Sequence, residues 1–159
     1  MSSTIKTPLE IYEICYNAGN VASIPAGYNI TENFSWREAF TNEIAMYGVP
    51  SYDTFLTIQA AAKVFQKART AIGKPFIIHC WYRCVKHNKK AGSTARLSPH
   101  ILGRAIDFHV DGMSIEELRK KVSSLNLPLR VEEGTTTYVH VDVGNPYISN
   151  GYKWGLFKA

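Results

Sequence analysis

Ser98-Pro99-His100-Ile101-Leu102-Gly103-Arg104-Ala105-Ile106-Asp107 sets a histidine in a loop and, seven residues on, an aspartate inside a run that reads as a strand. Along Ala105 to Val110 the side chains alternate between two faces, so Asp107 and His109 share one. A carboxylate between Ile106 and Phe108 is costly to bury without a partner. A chemically suitable partner comes later, in Val139-His140-Val141-Asp142, a second strand-like run. Imidazole nitrogen and carboxylate oxygen both suit zinc. Three protein ligands with a water in the fourth position make a catalytic site and not a closed structural one. Zinc also lowers the pKa of its water toward about 7. An ordinary hydrogen bond or ion pair would satisfy Asp107 equally well. The residue types leave both readings open, the more so because His109 and Asp142 can each share a face with a proposed ligand.

Outward from this stretch, the first half reads as helices. Thr7-Pro8-Leu9-Glu10 is a capping box with proline at the first helical position, and predicts a helix to about Asn17 with Gly19 beyond it. Ser35-Trp36-Arg37-Glu38 is a second box, opening a short helix near Thr41. Phe55, Ile58, Ala62, Phe65, Arg69 and Ile72 follow helical spacing, with Gly73 and Pro75 to stop the helix. The second half reads mainly as strands: Phe76 to His79, Ala105 to Val110, Leu129 to Glu133 and Tyr138 to Val143. The last two flank a Gly-Thr connection that signals a hairpin. A third box, Ser114 to Glu117, starts a helix carrying Ile115, Leu118, Val122 and Leu125 on one side. Helices first and antiparallel strands later give an α+β fold.

The 159 residues are enough for one self-sufficient core, so one domain over 1–159 is expected. No apolar run is long enough to cross a bilayer, which predicts no membrane insertion. Met1 to Glu10 lacks the apolar centre of a secretory signal, which predicts synthesis in a cytoplasm. Cys15, Cys80 and Cys84 are too few and odd in number for a disulfide framework. Cys80 and Cys84 have no second pair to complete a zinc site. The net charge of +5 gathers partly between Arg83 and Arg96, with Lys86, Lys89 and Lys90 between. That suits a polyanion, whether nucleic acid or acidic cell wall, but no nucleic-acid motif accompanies it and no nucleic-acid partner is expected. The tail aromatics Tyr147, Tyr152, Trp154 and Phe157 suit packing onto the domain, or stacking on sugar rings.

The stretch from Ser98 to Asp107 resembles the S-x-H-x-x-G-x-A-x-D signature of the M15 zinc peptidases. These are the D-Ala-D-Ala carboxypeptidases and L-alanyl-D-glutamate endopeptidases, which share a fold with the hedgehog signalling domain. Val139-His140-Val141-Asp142 is similar to that family's third-ligand strand. Cys80-Trp81-Tyr82-Arg83-Cys84 with His87-Asn88 resembles its S-G-Y-R-S…H-N segment, and Asn33-Phe34-Ser35-Trp36-Arg37-Glu38 its N-F-S-x-x-E element. The resemblance implies a hedgehog-like antiparallel sheet with the N-terminal helices packed on it. It implies zinc on His100, Asp107 and His140, and Arg83 and Ser98 holding substrate. Many members place the general base three residues before the last histidine. Thr137 stands there and cannot take a proton. Hedgehog-like members place a glutamate six or seven residues earlier, which points to Glu133, with Glu132 and Asp142 as alternatives.

The function so implied is cleavage of a bond in a peptidoglycan stem peptide. The expected setting is a phage lysin released by a holin, or a wall-cutting protein on the virion with other virion proteins as partners. The other reading is a zinc-stabilised structural or wall-binding protein without turnover, to which Thr137 lends weight.

Overall fold

The computed structural model describes residues 4–41, 48–84, 98–144 and 156–157. Helix α1 runs over Pro8–Ala18, and both bonds of the Thr7–Glu10 capping box are present. Gly19 closes it at φ 77°, in the left-handed conformation that glycine enters without strain. The Ser35–Glu38 box opens α2, Trp36–Ala39, which is a single turn. Helix α3, Tyr52–Ile72, buries Phe55, Ile58, Ala61, Ala62, Phe65, Ala68 and Ile72 along one stripe. Its expected stop is Gly73, at φ 75°. Helix α4, Ile115–Ser123, is capped by the Ser114 hydroxyl, which accepts from the Glu117 N–H.

A small sheet near the N-terminus was not expected from the sequence. It pairs β1 (Thr4–Ile5) in parallel with β2 (Tyr28–Thr31), and β2 antiparallel with β3 (Phe34–Ser35). Two-residue strands carry no readable periodicity, because their partners supply the hydrogen bonds that define them.

The larger sheet holds β4 (Ile77–Cys80), β5 (Ala105–His109), β6 (Arg130–Glu133), β7 (Val139–Asp142) and β8 (Leu156–Phe157). Its order is β4-β5-β7-β6-β8, antiparallel throughout. With the helices, this is the α+β architecture the sequence implied. One face of the sheet is apolar. Ile106 pairs with Val141 and Phe108 with Val139, all essentially inaccessible, and the Phe76 ring stacks on Phe108 at 4.1 Å. Burying side chains of this size contributes about 1.5–3 kcal/mol each. The other face of the same strands carries Asp107, His140 and Asp142.

The basic cluster beyond Arg83, His87-Asn88 and the tail aromatics Tyr147, Tyr152 and Trp154 lie outside the described residues. Among the described residues, no helix is long and apolar enough to cross a membrane.

Candidate metal centre

The site begins with strand register. Cys80 on β4 pairs with Asp107 on β5, and Asp107 pairs with His140 on β7. Three groups from three neighbouring strands therefore stand in one row on the polar face. His100 arrives separately, on a 3-10 turn over Pro99–Leu102 where the sequence suggested only a loop. Gly103 ends that turn at φ 72°. A Cβ there would sit 2.4 Å from a side-chain carbon of Ile58 on α3. The signature's glycine thus serves twice, taking the left-handed conformation and letting the turn lie against the long helix. The Trp81 indole N–H donates to the Gly103 carbonyl at 2.8 Å, tying β4's end to the same turn.

Each imidazole is oriented through the nitrogen pointing away from Asp107. His100 Nδ1 donates to the Trp81 carbonyl at 2.7 Å, and its Nε2 lies 3.2 Å from Asp107 Oδ1. His140 Nε2 donates to Asp142 Oδ2 at 2.8 Å, and its Nδ1 lies 2.8 Å from Asp107 Oδ1. Asp142 is itself pinned, accepting from Arg130 Nε and the Gly144 N–H, each at 2.8 Å. Outer partners of this kind set the tautomer and ring orientation of metal-bound histidines. The two nitrogens turned toward Asp107 converge on one carboxylate oxygen, a donor set of the kind zinc takes.

Two buried histidines on one carboxylate carry a clear electrostatic signature. Burial works against a charge on His100, yet the Asp107 carboxylate and its hydrogen bond carry the histidine's pKa up to about 10. His140 is raised as well, against burial, by hydrogen bonds to Asp107 and Asp142. Burial opposes the charge on Asp107, but the two imidazoles hold it well below the ordinary carboxylate range.

The expected site residues divide. His100, Asp107 and His140 come together. Arg83 lies beside them: its backbone N–H donates to the His100 carbonyl at 3.0 Å, and its buried Nε has no hydrogen-bond partner among the described residues. Ser98 stands at the start of the turn that carries His100. Its side chain is buried, at 1% exposure, and its hydroxyl accepts from the His100 N–H, so it caps the turn. Asp142 lies wholly buried behind His140 and orients that ring.

The two glutamates before the hairpin are placed differently. The ladder pairs Val131 with Val141, and one step further brings Glu132 alongside His140. Glu132 Oε2 stands 4.0 Å from His140 Nδ1, while Glu133 is exposed in a groove with Ile115, Glu116 and Arg119. Burial raises the Glu132 pKa, with Asp107 and Asp142 adding to it and His140 opposing. Counting residues across a hairpin leaves a parity of one undecided, and that parity selects the face.

Two further groups at the site were missed. Tyr138 lies just ahead of β7, close enough to Asp107 and Glu132 to feel their charges. Burial and the charges of Asp107 and Glu132 push its phenol up while Arg83 draws it down. The signal was its place two residues before His140. Cys80, dismissed for want of a second cysteine pair, has its sulfur in one group with His100 and Asp107, their ligand atoms all within 4.8 Å of one another. His79 and His109 share a hydrogen bond of 2.6 Å, outside the cluster.

No curated protein and no solved structure was found to match the chain. A family model for Peptidase M15 does match, over residues 31–142, from the strand ahead of the second capping box to the end of the strand bearing His140. That span holds Arg83, Ser98, His100, Asp107, Glu132, Tyr138 and His140 and covers more than half the chain, and the chain belongs to the peptidase M15 family.

Proposed function

We propose that the chain is a zinc-dependent peptidase, one domain over 1–159, that hydrolyses a bond in a peptidoglycan stem peptide. The single observation carrying this is the convergence of His100 Nε2 and His140 Nδ1 on Asp107 Oδ1, each ring fixed from behind. His100, Asp107 and His140 would hold the ion. A zinc ion there supplies a Lewis acid that activates water and polarises the scissile carbonyl.

The remaining steps fall to the chain's own groups. Glu132, beside His140 and half-buried, takes the proton from the attacking water and delivers it to the leaving amine. Arg83 holds a substrate carboxylate: its buried Nε lacks a partner among the described residues, and a guanidinium grips a carboxylate through two parallel bonds. Stem peptides carry such carboxylates. Tyr138, just ahead of β7, offers a hydroxyl to the polar end of the substrate. A net charge of +5 favours approach to an anionic wall, in keeping with a lysin, whether holin-released or virion-borne.

The test is digestion of purified peptidoglycan by the zinc-loaded protein, with the fragments identified by mass. New amino termini within the stem, lost on chelation and restored by zinc, are expected. Intact peptidoglycan after incubation with a fully zinc-loaded protein overturns the reading.

A further inference from the structure

Cys80 is the member of the cluster that three-ligand binding leaves without a task, and its placement is specific. Strand β4 pairs Ile77 with His109 and Ile78 with Phe108, then shifts register so that Cys80 pairs with Asp107. Without that bulge His79 would stand opposite Asp107, and Cys80 opposite Ile106 on the apolar face. The extra residue turns the thiol onto the polar face, an established use of bulges beside functional sites. Cys80 then completes a row with Asp107 and His140, and it is buried, 7% exposed.

Among the described residues, the thiol's polar contact is with His100. Sγ lies 3.8 Å from His100 Nδ1, but that nitrogen already spends its hydrogen on the Trp81 carbonyl and has no lone pair to accept the S–H. The sulfur, a His100 ring nitrogen and an Asp107 oxygen lie within 4.8 Å of one another. Donors sharing one tetrahedral ion stand roughly 3.3–3.8 Å apart, given bonds of about 2.0–2.3 Å, so these three would draw together on binding, while His140 joins them through its 2.8 Å approach to Asp107.

We propose that Cys80 is a fourth protein ligand, so that in the resting protein the ion is held by sulfur from Cys80, nitrogen from His100 and His140, and oxygen from Asp107. This rests on the metal reading above and goes beyond it. A sulfur donor strengthens the hold on zinc and on softer ions relative to magnesium or manganese. It also closes the position that water takes in a three-ligand site. Substrate and water then enter either by adding a fifth position or by displacing the sulfur.

The experiment is cobalt(II) titration of the full-length metal-free protein, read in the near ultraviolet for sulfur-to-cobalt charge transfer. One cobalt per chain with that band is expected in the parent and in Cys84→Ser. Cys80→Ser should still bind cobalt, without the band and at least about tenfold more weakly in chelator competition. Cobalt bound by the parent without the band overturns the fourth ligand and leaves the three-ligand centre standing. A band that persists in Cys80→Ser also overturns it. Failure of the parent to bind cobalt or zinc overturns the metal reading, and this inference with it. Because Cys80→Ser can fail for reasons of folding, X-ray absorption at the zinc edge of the unmutated protein gives an independent reading. One sulfur at about 2.3 Å supports the proposal, and a nitrogen-oxygen shell alone defeats it.

Discussion

The two faces of the large sheet are built from the same strands and obey opposite rules. On one face Ile106, Phe108, Val139 and Val141 meet in pairs, and any apolar side chain of suitable volume would serve. On the other, Asp107, His140 and Asp142 are buried or nearly so, each bonded to a particular atom of another. Burying charged groups seldom gains stability over apolar packing of the same volume. The apolar face therefore accounts for the fold, and the polar face is arranged for a ligand. Damage to one should leave the other measurable.

The largest separation is expected at His140. His140→Ala should abolish zinc binding and hydrolysis together while leaving a folded chain, checked by elemental analysis beside circular dichroism. A variant that keeps one zinc per chain removes His140 from the ligand set. Next comes the glutamate pair. Glu132→Gln should lower turnover by about 10²–10⁴-fold with zinc retained, because glutamine keeps the shape and cannot take the proton. Glu133→Gln, on the groove side, should leave turnover within about twofold, since it removes no base. Steady-state kinetics on a stem-peptide substrate decides, and the reverse ranking would put the base back on Glu133.

The apolar face is broken by Phe108→Ala. A cost of about 3–5 kcal/mol in unfolding free energy is expected, with one zinc per folded chain unchanged. Denaturant titration of both metal-free proteins reads the cost, and metal analysis of the folded fraction reads the rest. A smaller effect is expected at Asp142→Asn. The amide can accept from His140 only by turning its NH2 toward Arg130 and the Gly144 N–H, both donors. Zinc affinity should fall about 10–100-fold without loss of the fold. An unchanged affinity means that Asp142 does not orient the ring.

A further effect is in protons. His100, with its pKa up to about 10, holds a proton at neutral pH that zinc must displace. Zinc affinity should therefore rise with pH from 6 to 9, by up to about tenfold per unit for each proton released. Calorimetry in two buffers of different ionisation enthalpy counts those protons. In the metal-free fold the sign is opposite: the histidine's charge stabilises most fully below its ordinary value, and that contribution is lost as pH climbs through about 10.

What the sequence determined by itself is whatever depends on neighbours along the chain. Capping boxes at Thr7 and Ser35, the stripe from Phe55 to Ile72, the stop at Gly73 and the alternation around Asp107 are all local patterns, and each has its place in the fold. The signature from Ser98 to Asp107 carried two of the proposed ligands because a turn and a strand at fixed spacing repeat the same geometry. Tertiary structure alone decided whatever depends on register between strands far apart in sequence. Glu132 and not Glu133 lies beside His140, since a hairpin's pairing is set by hydrogen bonds across it and one residue of shift exchanges the faces. Cys80 joined the site for the same reason, through a bulge that no side-chain pattern announces. Ser98 went to a cap because the 3-10 turn needed an acceptor exactly where its hydroxyl stood.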